Sequence, residues 1–185
     1  MNLYLLGLAL FFLPHLVPLI RPLRAAVVGG MGENPWKMTM TALNFAGIAL
    51  IFFAFRDVPY EELWAPQPIG RMLLFVLMPV VFILLAAANM QGRIRRAVRH
   101  PMSIAIAIWS GAHLLANGDL ASTLLFGAFF VYTIVGVIAA EMQGRVKVPQ
   151  EIKGRQDVIA IVAGLVLFAV VMHFHGWLFG VPVVG

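Results

Sequence analysis

The chain has 185 residues, of which 62% are hydrophobic and 11% charged, and its mean hydropathy is +0.94. A soluble domain carries about 25% charged residues, so this composition describes an all-α integral membrane protein and excludes a water-soluble enzyme. The net charge of +5 comes from basic residues in short loops, which fits membrane topology better than nucleic-acid binding, and the absence of cysteine excludes disulfides, iron–sulfur clusters, thiolate-ligated haem and cysteine nucleophiles.

The pattern predicts about six transmembrane helices, over residues 3–20, 39–55, 72–88, 102–116, 120–140 and 158–179. The first has neither a basic start nor a small-residue cleavage site, so it reads as a retained helix. Within it, Pro14 and Pro18 flank His15 and predict a bend there. The glycine-rich stretch Val28 to Lys37 reads as a loop before the second span, which carries Asn44. Residues 56–70 form the longest polar stretch, with Tyr60 and Trp64 suited to an interfacial aromatic belt. The fourth span is short for a crossing of about 20 residues. It ends in Asn117-Gly118-Asp119, a turn in which Asp119 is placed to cap the fifth helix.

Loop charges set an expected orientation. Arg21, Arg24, Lys37, then Arg93, Arg95, Arg96, Arg99, then Arg145, Lys147, Lys153 and Arg155 fall in alternate connections, eleven of the thirteen Lys and Arg. Only Arg56 and Arg71 remain for the other side. This bias predicts both termini outside the cytoplasm. The sequence Met90-Gln91-Gly92-Arg93 recurs at Met142-Gln143-Gly144-Arg145. The surrounding helices match poorly, so the echo reads as two similar helix ends rather than a duplication.

Candidate chemistry rests on histidine. The five histidines are His15, His100, His113, His173 and His175. An ionisable side chain inside a span is expensive, and imidazole ligates haem iron, zinc, copper and non-haem iron. His113 has small neighbours, Gly111 and Ala112, with Ser110 one turn back. A metal or haem ligand and a cross-helix hydrogen bond are equally open readings for it. His15 reads first as a donor to a carbonyl freed by Pro18. His173 and His175 are two apart, so they face different sides of their helix and suit the interface. No paired carboxylates, phosphate loop or zinc-protease helix occurs in the chain.

The segment RHPMSIAIAIWSGAHLLANGDLAS, Arg99 to Ser122, resembles the NnrU family of bacterial membrane proteins. FFLPHLVPLIRPLR, Phe11 to Arg24, and HGWLFGV, His175 to Val181, extend the resemblance over nearly the full length. It implies one NnrU-like transmembrane domain over residues 1–185 in a bacterial inner membrane, with a link to denitrification and nitrogen-oxide redox metabolism. The same family includes the plant-type 15-cis-zeta-carotene isomerase, a membrane haem b protein. By that likeness His113 corresponds to a haem ligand within a Trp-Cys-x-Ala-His segment, of which Trp109, Ala112 and His113 are retained, and His15 corresponds to the second ligand. Ser110 stands where the isomerase has the cysteine that exchanges onto iron, so that exchange is not available here.

The resemblance therefore implies haem b held by His113 and His15 as iron ligands, near Trp109 and Ser110. The expected topology puts His15 and His113 at depths that differ by up to about 10 Å, which makes His173 the alternative second ligand. Three functions follow as expectations: a haem-binding membrane protein of nitrogen-oxide metabolism, a carotenoid isomerase, or a non-enzymatic assembly or regulatory factor for a respiratory enzyme. The expected partners are membrane lipid, haem, and respiratory or denitrification enzymes or a carotenoid, with no nucleic acid.

Overall fold

A computed structural model describes residues 1–181 and 183. It is all-α, as composition predicts, with an isolated bridge between Glu62 and Asp119 and no strand among the described residues. The helices are α1 (Asn2–Leu16), α2 (Arg21–Met31), α3 (Glu33–Ala54), α4 (Pro68–Ala87), α5 (Arg93–Val98), α6 (Pro101–Ala116), α7 (Leu120–Met142) and α8 (Gly154–Phe179). Five helical stretches, built on α1, α3, α4, α7 and α8, are long and apolar enough to cross a membrane, and α6 is a shorter apolar helix. Large apolar side chains such as Phe45, Phe53, Val76 and Val131 are exposed along these helices, as a lipid solvent requires.

The chain divides into two compact units, Met1–Glu61 and Glu62–Gly185. In the first, α1 packs against α3. Gly7 and Gly47 bring the two backbones together: a Cβ on Gly7 would stand 2.8 Å from the Ile51 nitrogen, and one on Gly47 2.8 Å from the Phe11 nitrogen. Without a hydrophobic drive between helices in lipid, such close backbone packing supplies the attraction. Tyr4 is fully buried in this unit, with its ring edge-on to Phe55.

Two local outcomes have simple causes. Pro18 has no N–H to reach the Pro14 carbonyl, and the Val17 N–H takes it instead, so α1 tightens into a 3-10 turn at Val17–Leu19. The stretch Val28 to Lys37, expected as a loop, is helical on both sides of one break at Gly32. Gly32 has φ +89, which only glycine adopts without strain, whereas Gly29 and Gly30 continue α2. Pro35 falls in the first turn of α3, where its missing N–H costs nothing. Glu33 then pairs with Arg24 across the break at 3.0 Å and with Lys37, one turn on in α3, at 3.5 Å.

In the second unit α4 packs against both α6 and α8, and α6 against α7. Met78, Val81 and Leu84 of α4 meet Ala105 and Ala112 of α6 in its core. Glycine again sets the closest approaches, with Gly70 against Leu115 and Ala116, and Gly164 against Ile83. At one end the Gln67 N–H donates to the Leu115 carbonyl at 2.9 Å, and the Leu63 N–H to Gly118 at 2.8 Å. Gly118 faces the Trp64 carbonyl so closely that a Cβ there would collide with it. At the other end His100 and Arg99 both hold Glu141. α6 therefore runs the depth of this unit although it has only 16 residues, about 24 Å of rise.

Candidate functional site

α6 presents different chemistry on each of its faces. Ala112 packs into the core against α4. Gly111 faces Phe130 of α7 and opens a wholly apolar groove that also takes in Leu77 and Ile108. Trp109 and His113, four residues apart, share the remaining face, as helical periodicity dictates. The His113 ring stacks on Phe126 with centroids 4.6 Å apart, and Trp109 contacts His113 at 5.3 Å, Phe126 at 5.0 Å and Phe129 at 5.3 Å. The half-buried imidazole thus lies against Phe126 of α7 and Trp109 of its own helix.

His113 Nδ1 lies 2.7 Å from the Trp109 carbonyl oxygen. A carbonyl can only accept, so Nδ1 carries the hydrogen and Nε2 is the acceptor nitrogen of the neutral ring. This is the tautomer a metal-ligating histidine uses, with its second nitrogen donating to a backbone oxygen. The carbonyl of His113 itself takes both donors of Asn117, the backbone N–H at 2.9 Å and Nδ2 at 2.8 Å, which closes the helix.

His15 repeats the arrangement in the first unit. Its Nδ1 is 2.6 Å from the Phe11 carbonyl, and its ring lies 4.5 Å from that of Phe11. The carbonyl freed by Pro18 is that of Pro14, which the Val17 N–H takes, and His15 bonds instead to the Phe11 carbonyl, three residues earlier than the partner the sequence suggested. His173 is exposed on α8 beside Phe174, and His175 donates from Nδ1 to the Val181 carbonyl at 2.7 Å. α8 packs against α4. Ser110 is fully buried, and its hydroxyl donates to Ile106 at 2.6 Å, with Ala107 at 3.3 Å.

Asp119 accepts from the Ser122 N–H at 2.9 Å and caps α7, as its turn predicts. Other polar residues escaped sequence reasoning. Glu141, a lone carboxylate at the end of an apolar helix, gathers Arg99 and His100. Asp157 of α8 accepts from the backbone N–H groups of Arg93 at 2.8 Å and Ile94 at 3.0 Å, capping α5 from another helix. The sole sequence signal for either was a charge placed beside an apolar run. Asn44 Oδ1 is buried without a hydrogen-bond partner. Among the described residues no three His, Asp or Glu side chains converge to hold a metal, so the candidate ligands are single histidines of the kind that serve as axial ligands.

Residues 3–183 match the family model described as NnrU protein. The chain belongs to the NnrU family. The match covers both compact units and all the histidines, so in this NnrU-family chain the Arg99–Ser122 segment and its flanks are parts of one family pattern. No curated protein and no solved structure matches the chain.

Proposed function

We propose that this NnrU-family protein lies in the bacterial inner membrane with both termini on the periplasmic side, binds haem b, and serves nitrogen-oxide redox metabolism. The observation that carries the reading is the hydrogen bond from His113 Nδ1 to the Trp109 carbonyl, which directs the hydrogen to Nδ1 and leaves Nε2 as the nitrogen that would hold the iron. Phe126, stacked on the imidazole, and Trp109 beside it make an apolar aromatic surface that suits a flat macrocycle. His15, in the same tautomer, is the proposed second ligand, with His173 the alternative. When bound, haem b supplies a one-electron iron centre whose potential depends on its axial ligands and on burial. The protein's part is to orient each imidazole.

The carotenoid-isomerase reading has less support. Its ligand exchange needs a thiol where Ser110 stands, and the Ser110 hydroxyl is engaged with its own helix. A reduced-minus-oxidised absorbance spectrum of the purified protein tests the proposal. A b-type spectrum lost in both His113→Ala and His15→Ala is the expected result. Loss with His113→Ala alone transfers the second position to His173. A folded but colourless wild type, after haem supplementation during expression, overturns haem binding and leaves an assembly or regulatory factor.

A further inference from the structure

The net charge of this chain is carried in one place. The connections at the α5 end of the second unit, residues 88–100 and 141–157, hold eight Lys and Arg against Glu141, Glu151 and Asp157. That excess equals the +5 of the whole chain, so the remainder is balanced. Two of the three carboxylates are engaged locally: Glu141 with Arg99 and His100, and Asp157 with the N–H groups that open α5.

α5 makes part of this charge rigid. Ile94 and Val98 pack onto the unit's core, one turn apart. Arg95 reaches back to the carbonyls of Arg99 and Lys147. Arg93 and Arg96 are exposed on the opposite face, three residues apart; the Arg93 charge lies near enough to Asp157 to act on its carboxylate, and no hydrogen bond or ion pair within 4 Å engages either side chain among the described residues. The start of α8 is tied to the same spot, because Lys153 N–H donates to the Gln91 carbonyl at 2.7 Å and Gln156 accepts from the Gln91 N–H. Exposed Lys153 and Arg155 are thereby held beside Arg93. Met142 and Ile152, exposed apolar side chains, interrupt the charge at this same end. Cations mixed with apolar side chains at the ends of spanning helices fit a leaflet surface better than an acidic soluble partner.

We propose that this end of the second unit is a binding surface for the headgroup of an anionic phospholipid, with Arg93 and Arg96 as its fixed contacts and Lys153 and Arg155 beside them. The α5 amides are already taken by Asp157, so the side chains supply the recognition. The surface is independent of haem binding.

The test uses the full-length protein in detergent micelles doped equally with phosphatidylglycerol and phosphatidylcholine, with bound lipid counted by native mass spectrometry. The wild type should retain phosphatidylglycerol selectively, and affinity should fall about fivefold for each guanidinium removed in Arg93→Gln with Arg96→Gln. Lysine at both positions should keep most of the binding, and Arg71→Gln, on α4 away from this end, should leave it unchanged. Circular dichroism checks that helix content is kept, and Arg96→Gln alone serves if the double variant fails to fold. Equal retention of the two lipids by the wild type, equal loss in Arg71→Gln, or full displacement by inorganic phosphate would overturn the proposal.

Discussion

His113 and His15 both spend Nδ1 on the carbonyl four residues back. The helix's own carbonyl therefore selects the tautomer at each. Asp119, the nearest acid in sequence to His113, is occupied instead by the first turn of α7. Its replacement should act on folding alone: Asp119→Ala should cost about 1 kcal/mol, read as a lowered unfolding midpoint, while any haem spectrum stays intact. Loss of that spectrum without loss of stability would assign Asp119 to the histidine. Arg99 is a second residue where conformation matters. Its φ of +61 is one that side chains rarely adopt, and it is held by the pairing of its guanidinium with Glu141. The Arg99–Glu141 pairing could not be read from spacing, since it joins residues brought together by helix packing.

At the level of helices, glycine decides how closely they approach. A Cβ on Gly47 would meet the backbone of α1, and one on Gly164 would stand 2.6 Å from the Ile83 backbone, so neither neighbour can yield cheaply. Gly47→Val and Gly164→Val should each destabilise the protein by about 1–3 kcal/mol, measured by thermal or SDS-induced unfolding. Gly136 has nothing within reach of an added Cβ. Gly136→Ala should be neutral or stabilising by up to about 1 kcal/mol, through helix propensity. Equal losses at all three would refute close packing as the source of the effect. The echo of Met-Gln-Gly-Arg also resolves here: Gly92 is extended and opens α5, whereas Gly144 takes φ +60 after α7, so the two copies have different local structures. The helical course of residues 28–37 was hidden because glycine was read as a break at every position, when only Gly32 required one.

For the whole molecule, the alternation of basic connections argues for six crossings. α6 supports the count, since its two ends are bonded to opposite ends of its neighbours α4 and α7. The natural lack of cysteine makes the topology directly testable. In intact cells a membrane-impermeant maleimide should label Asn2→Cys and Val181→Cys, and should label Lys147→Cys only after permeabilisation. Labelling of the two terminal positions from different sides would overturn the six-span arrangement.

Composition and hydropathy alone determined that this is an all-α membrane protein, because the energy of transfer into lipid depends on residue type and run length and not on partners. The turn at Asn117-Gly118-Asp119 and its cap were legible for a related reason: their hydrogen bonds are local in sequence. Only the tertiary structure placed Phe126 against His113, gave Asp157 to α5, and left Arg93 and Arg96 on a pinned, outward face. Those outcomes depend on which helices are neighbours and how they are rotated, and in lipid that is decided by the small-residue contacts between backbones, which the hydrophobic pattern does not encode.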